Sequence, residues 1–171
     1  YVKGEDLSPD KSSERTLLKE VVLEKRLSDH IKRINPWISD QNLHKVVKDL
    51  TKAQYTNLIE ANQAIWTMLN ECVSVMQDLG KGNKGQTVHI IDFENPQNNE
   101  FLCTNQFKVS GINQNIIPDI VCFVNGIPLA VIECKSPYIS SPMSEGINQL
   151  RRYANLRQSE DHEGAEKLFW Y

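Results

Sequence analysis

Two apolar runs, Ile120-Val121-Cys122-Phe123-Val124 and Ile127-Pro128-Leu129-Ala130-Val131-Ile132, flank an Asn125-Gly126 pair, and they constrain the fold more than any other stretch of the chain. Runs without polar alternation suit strands covered on both faces. Asn-Gly between them signals a hairpin, because both residues tolerate the positive φ that a tight connection requires. Polar residues stand at the outer ends of the runs, Pro118-Asp119 before the first and Glu133-Cys134-Lys135 after the second. Ionised groups beside buried strands must be paired, bound to a cation or placed at a strand end.

Side chains alternate along a strand, so the length of the connection sets which of these groups meet. A two-residue turn at Asn125-Gly126 pairs Val124 with Ile127 and Asp119 with Ile132, which sends Glu133 and Lys135 to the face opposite Asp119. A three-residue loop, Val124-Asn125-Gly126 with Gly126 at a left-handed bulge, puts Asp119 opposite Val131 and on one face with Glu133 and Lys135. A working site therefore predicts the three-residue form.

Two carboxylates that converge repel each other, and burial strengthens the repulsion, so a divalent cation or a proton is needed between them. Oxygen ligands favour magnesium or manganese over zinc. Such a cation can polarise a phosphate oxygen and activate water, and Lys135 can orient that water or stabilise charge developing on phosphorus. The chemistry indicated is phosphodiester hydrolysis without a covalent intermediate. The plainer alternative makes Asp119 a turn cap after Pro118, with Glu133 and Lys135 a same-face pair at a frayed strand end.

Ser141-Pro142 predicts a helix start, followed by apolar Ile147, Leu150 and Ala154. Gln149 and Tyr153, four apart, share a face of it, with Arg152 beside them. Amide, phenol and guanidinium groups can position phosphates, although the same residues suit a solvated amphipathic helix.

These residues carry a resemblance. Pro118-Asp119 with Glu133-Cys134-Lys135 resembles the PD-(D/E)xK nuclease motif, and Gln149 to Tyr153 resembles the QxxxY motif of its RecB-like branch. Ile91-Asp92-Phe93-Glu94-Asn95-Pro96, Asn105-Gln106-Phe107 and Pro118 through Pro137 are similar to the N-terminal endonuclease domain of the R subunit of type I restriction-modification enzymes. Arg33-Ile34-Asn35-Pro36, after Glu20-Val21-Val22-Leu23-Glu24, extends the similarity toward the N-terminus. The resemblance implies Asp119 and Glu133 as magnesium ligands (manganese as substitute), Lys135 as catalytic lysine, and Gln149, Tyr153 and Arg152 as accessory DNA-positioning residues. It leaves Cys134 in the motif's variable position, pointing away. Either Glu20 or Glu60 could supply a further acidic group, and no motif selects between them.

The resemblance also implies partners and a larger whole. Double-stranded DNA would be the substrate, and methyltransferase and specificity subunits the partners. A longer chain would carry an ATP-dependent translocase, so ATP would serve only that motor region. The start at Tyr1 and the apolar Leu168-Phe169-Trp170-Tyr171 at the other end, which looks like a strand cut short, suggest a fragment. Two other readings stand beside this one: a repair or stand-alone restriction nuclease of the same superfamily, and a non-catalytic DNA-docking or assembly module.

Along the chain, residues 1–13 are polar and expected to be a mobile tail, and 14–171 a single domain. Helices are expected at Glu14 to Arg33 (apolar stripe Leu17, Leu18, Val21 and Val22), Asp40 to Leu50 capped by Ser39, and Ala53 to Cys72, forming a helical layer over about 14–72. Strands are expected at Val73 to Gln77, Thr87 to Phe93 and Phe101 to Ser110, then the hairpin, the capped helix and a terminal strand. The fold class expected is α/β, a restriction-endonuclease-like mixed sheet flanked by helices behind an N-terminal helical layer. Gly80 to Gln86 has the spacing of a phosphate-binding loop, but Gln86 replaces the lysine and a strand follows, so it reads as a turn with no affinity for ATP.

A net charge of −3, from 19 Lys and Arg against 22 Asp and Glu, argues against a free-standing DNA-binding module, despite local positive charge at Arg151, Arg152 and Arg157. DNA would be delivered by other parts of the assembly. No signal peptide or membrane-spanning apolar run is visible. Cys72, Cys103, Cys122 and Cys134 lack CxxC spacing and read as reduced, buried residues of a cytoplasmic protein, and the four histidines are too scattered to suggest zinc.

Overall fold

A computed structural model describes residues 1–52, 58–110 and 115–153. The chain is mixed α/β and falls into two compact units. The first comprises Tyr1–Val21, Leu102–Phe123 and the described chain from Ile127; the second comprises Val22–Phe101 with Val124–Gly126. No helix among the described residues is long and apolar enough to cross a membrane.

The first unit is built on a four-stranded sheet in the order β1 (Val2–Lys3), β4 (Phe101–Asn105), β7 (Ile120–Val124) and β8 (Ile127–Ile132). The first residues are thus no tail. β1 runs parallel to β4, with Val2 opposite Thr104 and Lys3 opposite Asn105, and a 3-10 turn at Gly4–Leu7 buries Leu7. β4 and β7 are antiparallel, since Gln106 N–H donates to Asp119 O (3.0 Å) at one end and Asn125 N–H to Glu100 O (2.9 Å) at the other. Leu102 and Thr104 on β4 and Val121 and Phe123 on β7 alternate inward, and Phe123 meets Phe107 edge to face at 5.2 Å.

Buried Arg15 lies 4.3 Å over the Phe107 ring and donates to the carbonyls of Lys108 (3.0 Å) and Leu18. These bonds belong to the stretch expected to open the first helix. Glu20 accepts from Thr16 N–H (2.7 Å), Thr16 Oγ1 (2.6 Å) and Leu17 N–H (3.3 Å), giving the backbone a local alternative to helix. Helix α1 therefore begins only at Glu24. A short ladder of β5 (Val109–Ser110) and β6 (Asn115–Ile116) and the helix α4 (Pro142–Tyr153) complete the described part of this unit. The proline at the first position of α4 and the bond from Glu145 N–H to Ser141 O (3.1 Å) match the expected start.

The second unit holds α1 (Glu24–Ile34), α2 (Asp40–Lys52) and α3 (Leu58–Asn70), with the antiparallel hairpin of β2 (Val73–Asp78) and β3 (Asn83–Val88). α1 buries Leu27, His30 and Ile31 on one face and carries Lys32 and Arg33 in its last turn, where they complement the helix dipole. Ser39 Oγ caps α2 by accepting from Asn42 N–H (3.3 Å). Residues 53–57 of the expected third helix lie outside the described residues, as do Arg157 and the expected terminal strand.

The glycine-rich decoy is a hairpin connection: Gly80 and Gly82 have φ of 90° and 81°, and Asp78 Oδ1 accepts from Gly80 N–H at 2.7 Å. β3 stops at Val88, short of the expected Phe93, because Asn35 captures the next residue. Its Oδ1 accepts from His89 N–H (3.0 Å) and its Nδ2 donates to His89 O (2.8 Å). Asp92 and Asn99 clip the following loop in the same way (2.9 and 2.8 Å).

The hairpin connection between β7 and β8 has two residues, Asn125 and Gly126, with φ of 54° and 84°. Positive φ at both positions is the type I′ signature, so the three-residue loop with a bulge is not formed. Asn125 is fully buried in the second unit, where Oδ1 accepts from Glu100 N–H (2.8 Å) and Nδ2 donates to Ile90 O and Asn99 Oδ1 (3.0 Å each).

Candidate active site

Asp119 and Glu133 meet despite the two-residue turn. Asp119 N–H donates to Glu133 Oε1 (3.3 Å), and Cys134 N–H donates to Asp119 Oδ2 (2.8 Å). The alternation argument failed because Asp119 precedes the first residue of β7 and Glu133 follows the last of β8. Alternation continues past β8 through Glu133, Cys134 and Lys135, but at Asp119, outside β7, the ladder no longer fixes the side chain's face. A bend at Asp119 turns the chain so that both carboxylates come to one place.

From α4, Tyr153 is buried to 1% exposure and donates its phenol proton to Glu133 Oε1 (2.7 Å). Gln149 Nε2 donates to the Tyr153 oxygen (2.6 Å), while Gln149 Oε1 accepts from Lys135 Nζ. The i,i+4 spacing of Gln149 and Tyr153 thus spans the site from lysine to glutamate. Burial, opposed by the Gln149 bond and reinforced by the Glu133 bond, raises the Tyr153 phenol well above the ordinary tyrosine range. It therefore remains a proton donor to Glu133 at neutral pH.

Glu133 Oε2 is buried and has no hydrogen-bond partner among the described residues, and Lys135 Nζ stands 3.6 Å from it. With its side chain 2% exposed, Glu133 offers one satisfied oxygen and one available oxygen. A buried anionic oxygen left open in this way fits a divalent cation. Among the described residues no cluster of three or more His, Cys, Asp or Glu could hold a metal ion. A cation here would draw on two carboxylates, and magnesium commonly completes such a shell with water and substrate phosphate.

Asp119, Glu133, Lys135, Gln149 and Tyr153 are thus brought together. Arg152 is placed otherwise, with its guanidinium carbon 5.9 Å from the Tyr153 ring centroid, over the aromatic face. Glu20 is engaged by Thr16 and Leu17, and Glu60 belongs to α3 in the second unit. Cys134 is exposed, as its place between the inward pair requires, and Cys103 is exposed too, contrary to the expectation of buried thiols; all four cysteines are free. Sequence reasoning missed Gln106, whose Nε2 donates to Asp119 Oδ1 (3.1 Å). The signal available was an amide placed where β4 ends and the apolar pattern resumes at Phe107.

The fold and the site define a mixed α/β protein with an acidic centre and an adjoining lysine. The family model for the N terminus of type I restriction enzyme R proteins matches residues 1–171, and the chain belongs to that family. It is 33% identical over 156 residues to the type I restriction enzyme HindI endonuclease subunit of Haemophilus influenzae, covering 90% of this chain and 15% of that protein. It is 34% identical over 169 residues to a candidate type I restriction enzyme endonuclease subunit, MjaIXP, of Methanocaldococcus jannaschii, covering 91% of this chain and 16% of that one. The chain therefore spans about a sixth of the length of these relatives. No solved structure matches it.

Proposed function

We propose that this chain is the endonuclease domain of a type I restriction R subunit, hydrolysing phosphodiester bonds of double-stranded DNA with magnesium in the restriction of foreign DNA. The observation that carries the reading is the buried Glu133 carboxylate, one oxygen held by Tyr153 and the other open beside Lys135, in a chain of this family. Asp119 and Glu133 would hold the cation. When bound, it supplies Lewis-acid polarisation of the phosphate and a more acidic water.

The side chains divide the remaining work. Tyr153 fixes the Glu133 carboxylate so that Oε2 faces the open position. Gln149 holds the Lys135 ammonium through its carbonyl oxygen, and Lys135 orients the attacking water or stabilises charge gathering on phosphorus. The chain's acidic net charge is in keeping with DNA delivered by methyltransferase and specificity subunits and by an ATP-driven motor elsewhere in the R subunit, in the cytoplasm.

Lys135→Ala in the assembled enzyme tests this reading: cleavage is lost while the variant chain folds and assembles. Wild-type cleavage by that variant overturns the assignment. Loss of manganese binding in both Asp119→Ala and Glu133→Ala, by calorimetry, tests the ligands separately. The alternative is a non-catalytic DNA-docking or assembly module. That reading requires that none of these substitutions alter cleavage.

A further inference from the structure

Gln106 combines three unusual features. It is a non-glycine residue at φ 51°, in the left-handed region that side chains disfavour. Its backbone N–H donates to Asp119 O (3.0 Å) and its side-chain Nε2 to Asp119 Oδ1 (3.1 Å), so one residue grips Asp119 at both ends. The kink is also buttressed from behind: a Cβ on Gly4 would collide with the carbonyl oxygens of Asn105 and Gln106, so the turn after β1 approaches there as closely as a glycine permits.

We propose that Gln106 is a positioning residue of the carboxylate site, whose left-handed backbone aims its amide at Asp119 Oδ1 and thereby fixes how that carboxylate is presented to a divalent cation. With Gln106 on Oδ1 and Cys134 N–H on Oδ2 (2.8 Å), both Asp119 oxygens are held and the carboxylate plane is set. Removing a partner that orients a ligating group typically costs about 10- to 100-fold in metal affinity. Glycine adopts φ 51° without strain, so the turn alone does not call for a glutamine. Glutamine at this position accepts strain that the amide bond to Asp119 explains.

The inference rests on the reading of Asp119 and Glu133 as cation ligands, and its test separates the two. Gln106→Gly in the whole chain relieves the backbone while deleting the amide. Its melting temperature is expected to equal or exceed that of the wild type, its Mn2+ affinity by calorimetry to fall about 10-fold, and the Cys134 amide signal of the metal-free protein to shift as Asp119 is released. If the glycine variant melts lower, Gln106→Met, which keeps the side chain's length without the donor, decides on the same two readouts. Wild-type Mn2+ affinity with an unmoved Cys134 amide overturns the proposal. Should wild type bind no Mn2+, or Asp119→Ala and Glu133→Ala bind it undiminished, the ligand reading fails, and the metal-free Cys134 signal still decides the role of Gln106: a shift supports it and no shift overturns it.

Discussion

Tyr153→Phe removes one oxygen atom and tests how the site is held. The hydroxyl donates to Glu133 Oε1 at 2.7 Å and accepts from Gln149 at 2.6 Å, between a ring 1% exposed and a carboxylate side chain 2% exposed. Water cannot readily take its place. A hydrogen bond to a charged group contributes about 1.5–3 kcal/mol and one between neutral groups about 1 kcal/mol. Glu133 Oε1 keeps the longer bond from Asp119 N–H (3.3 Å), which offsets part of the loss. The net cost expected at pH 7 is about 2 kcal/mol. At a slope of about 2 kcal/mol/M, the urea midpoint should fall by about 1 M.

The pH dependence is a second, signed readout of the same substitution. Because the folded phenol pKa lies above the ordinary value of 10.0, the native chain retains a proton that the unfolded chain releases. That contribution is complete below about pH 10 and is lost as pH rises toward the folded value. The stability gap between wild type and Tyr153→Phe should therefore narrow on the alkaline side. A midpoint within about 0.2 M of wild type at pH 7, with a gap independent of pH, would refute the reasoning.

Other perturbations probe the rest of the chain. His30 is 3% exposed, and burial first, then Arg33, pull its pKa down to about 4 against the opposing pull of Asp92, so its contribution is complete above about pH 6.5 and fades as pH falls toward 4. His30→Gln should flatten that acid slope, a difference on the order of 2 kcal/mol by denaturation at pH 7 and pH 4.5. Asn125→Gly keeps the turn but deletes three hydrogen bonds of a buried side chain, and urea unfolding should show a loss of about 2–4 kcal/mol. Cys103 and Cys122 stand opposite each other on β4 and β7 with sulfurs 3.5 Å apart, midway along the ladder in a pair without backbone bonds, where side chains come closest. Diamide should link them, the two thiol hydrogens passing to the oxidant, and peptide mapping without reductant should show that crosslink before any involving Cys72.

The hairpin, the helix start at Ser141-Pro142 and the shared face of Gln149 and Tyr153 were legible because each depends on short-range chemistry: positive φ at Asn-Gly, a proline at the first helical position, and i,i+4 spacing. The loop length was misjudged because strand alternation was carried one residue past each strand end, to Asp119 and Glu133. Other misses have tertiary causes. Glu14 to Leu23 has helical apolar spacing, yet the Thr16–Glu20 bonds and the burial of Arg15 against Phe107 override it. Asn35 ends β3 from more than fifty residues away, so no local pattern could place that boundary. The first residues look polar, and only the parallel partner β4 makes them a strand.

That last pairing also orders events in time. Val2 and Thr104 meet from about a hundred residues apart, so β1 can join the sheet only after the residues between them have been made. Chain synthesis runs from the N-terminus, and the edge of β4 beside the site stays uncovered until this distant loop closes. The Gly4 buttress behind Gln106 arrives with it. β1 is thus made well before it can be seated, and it waits for β4 to be made before it closes over that edge.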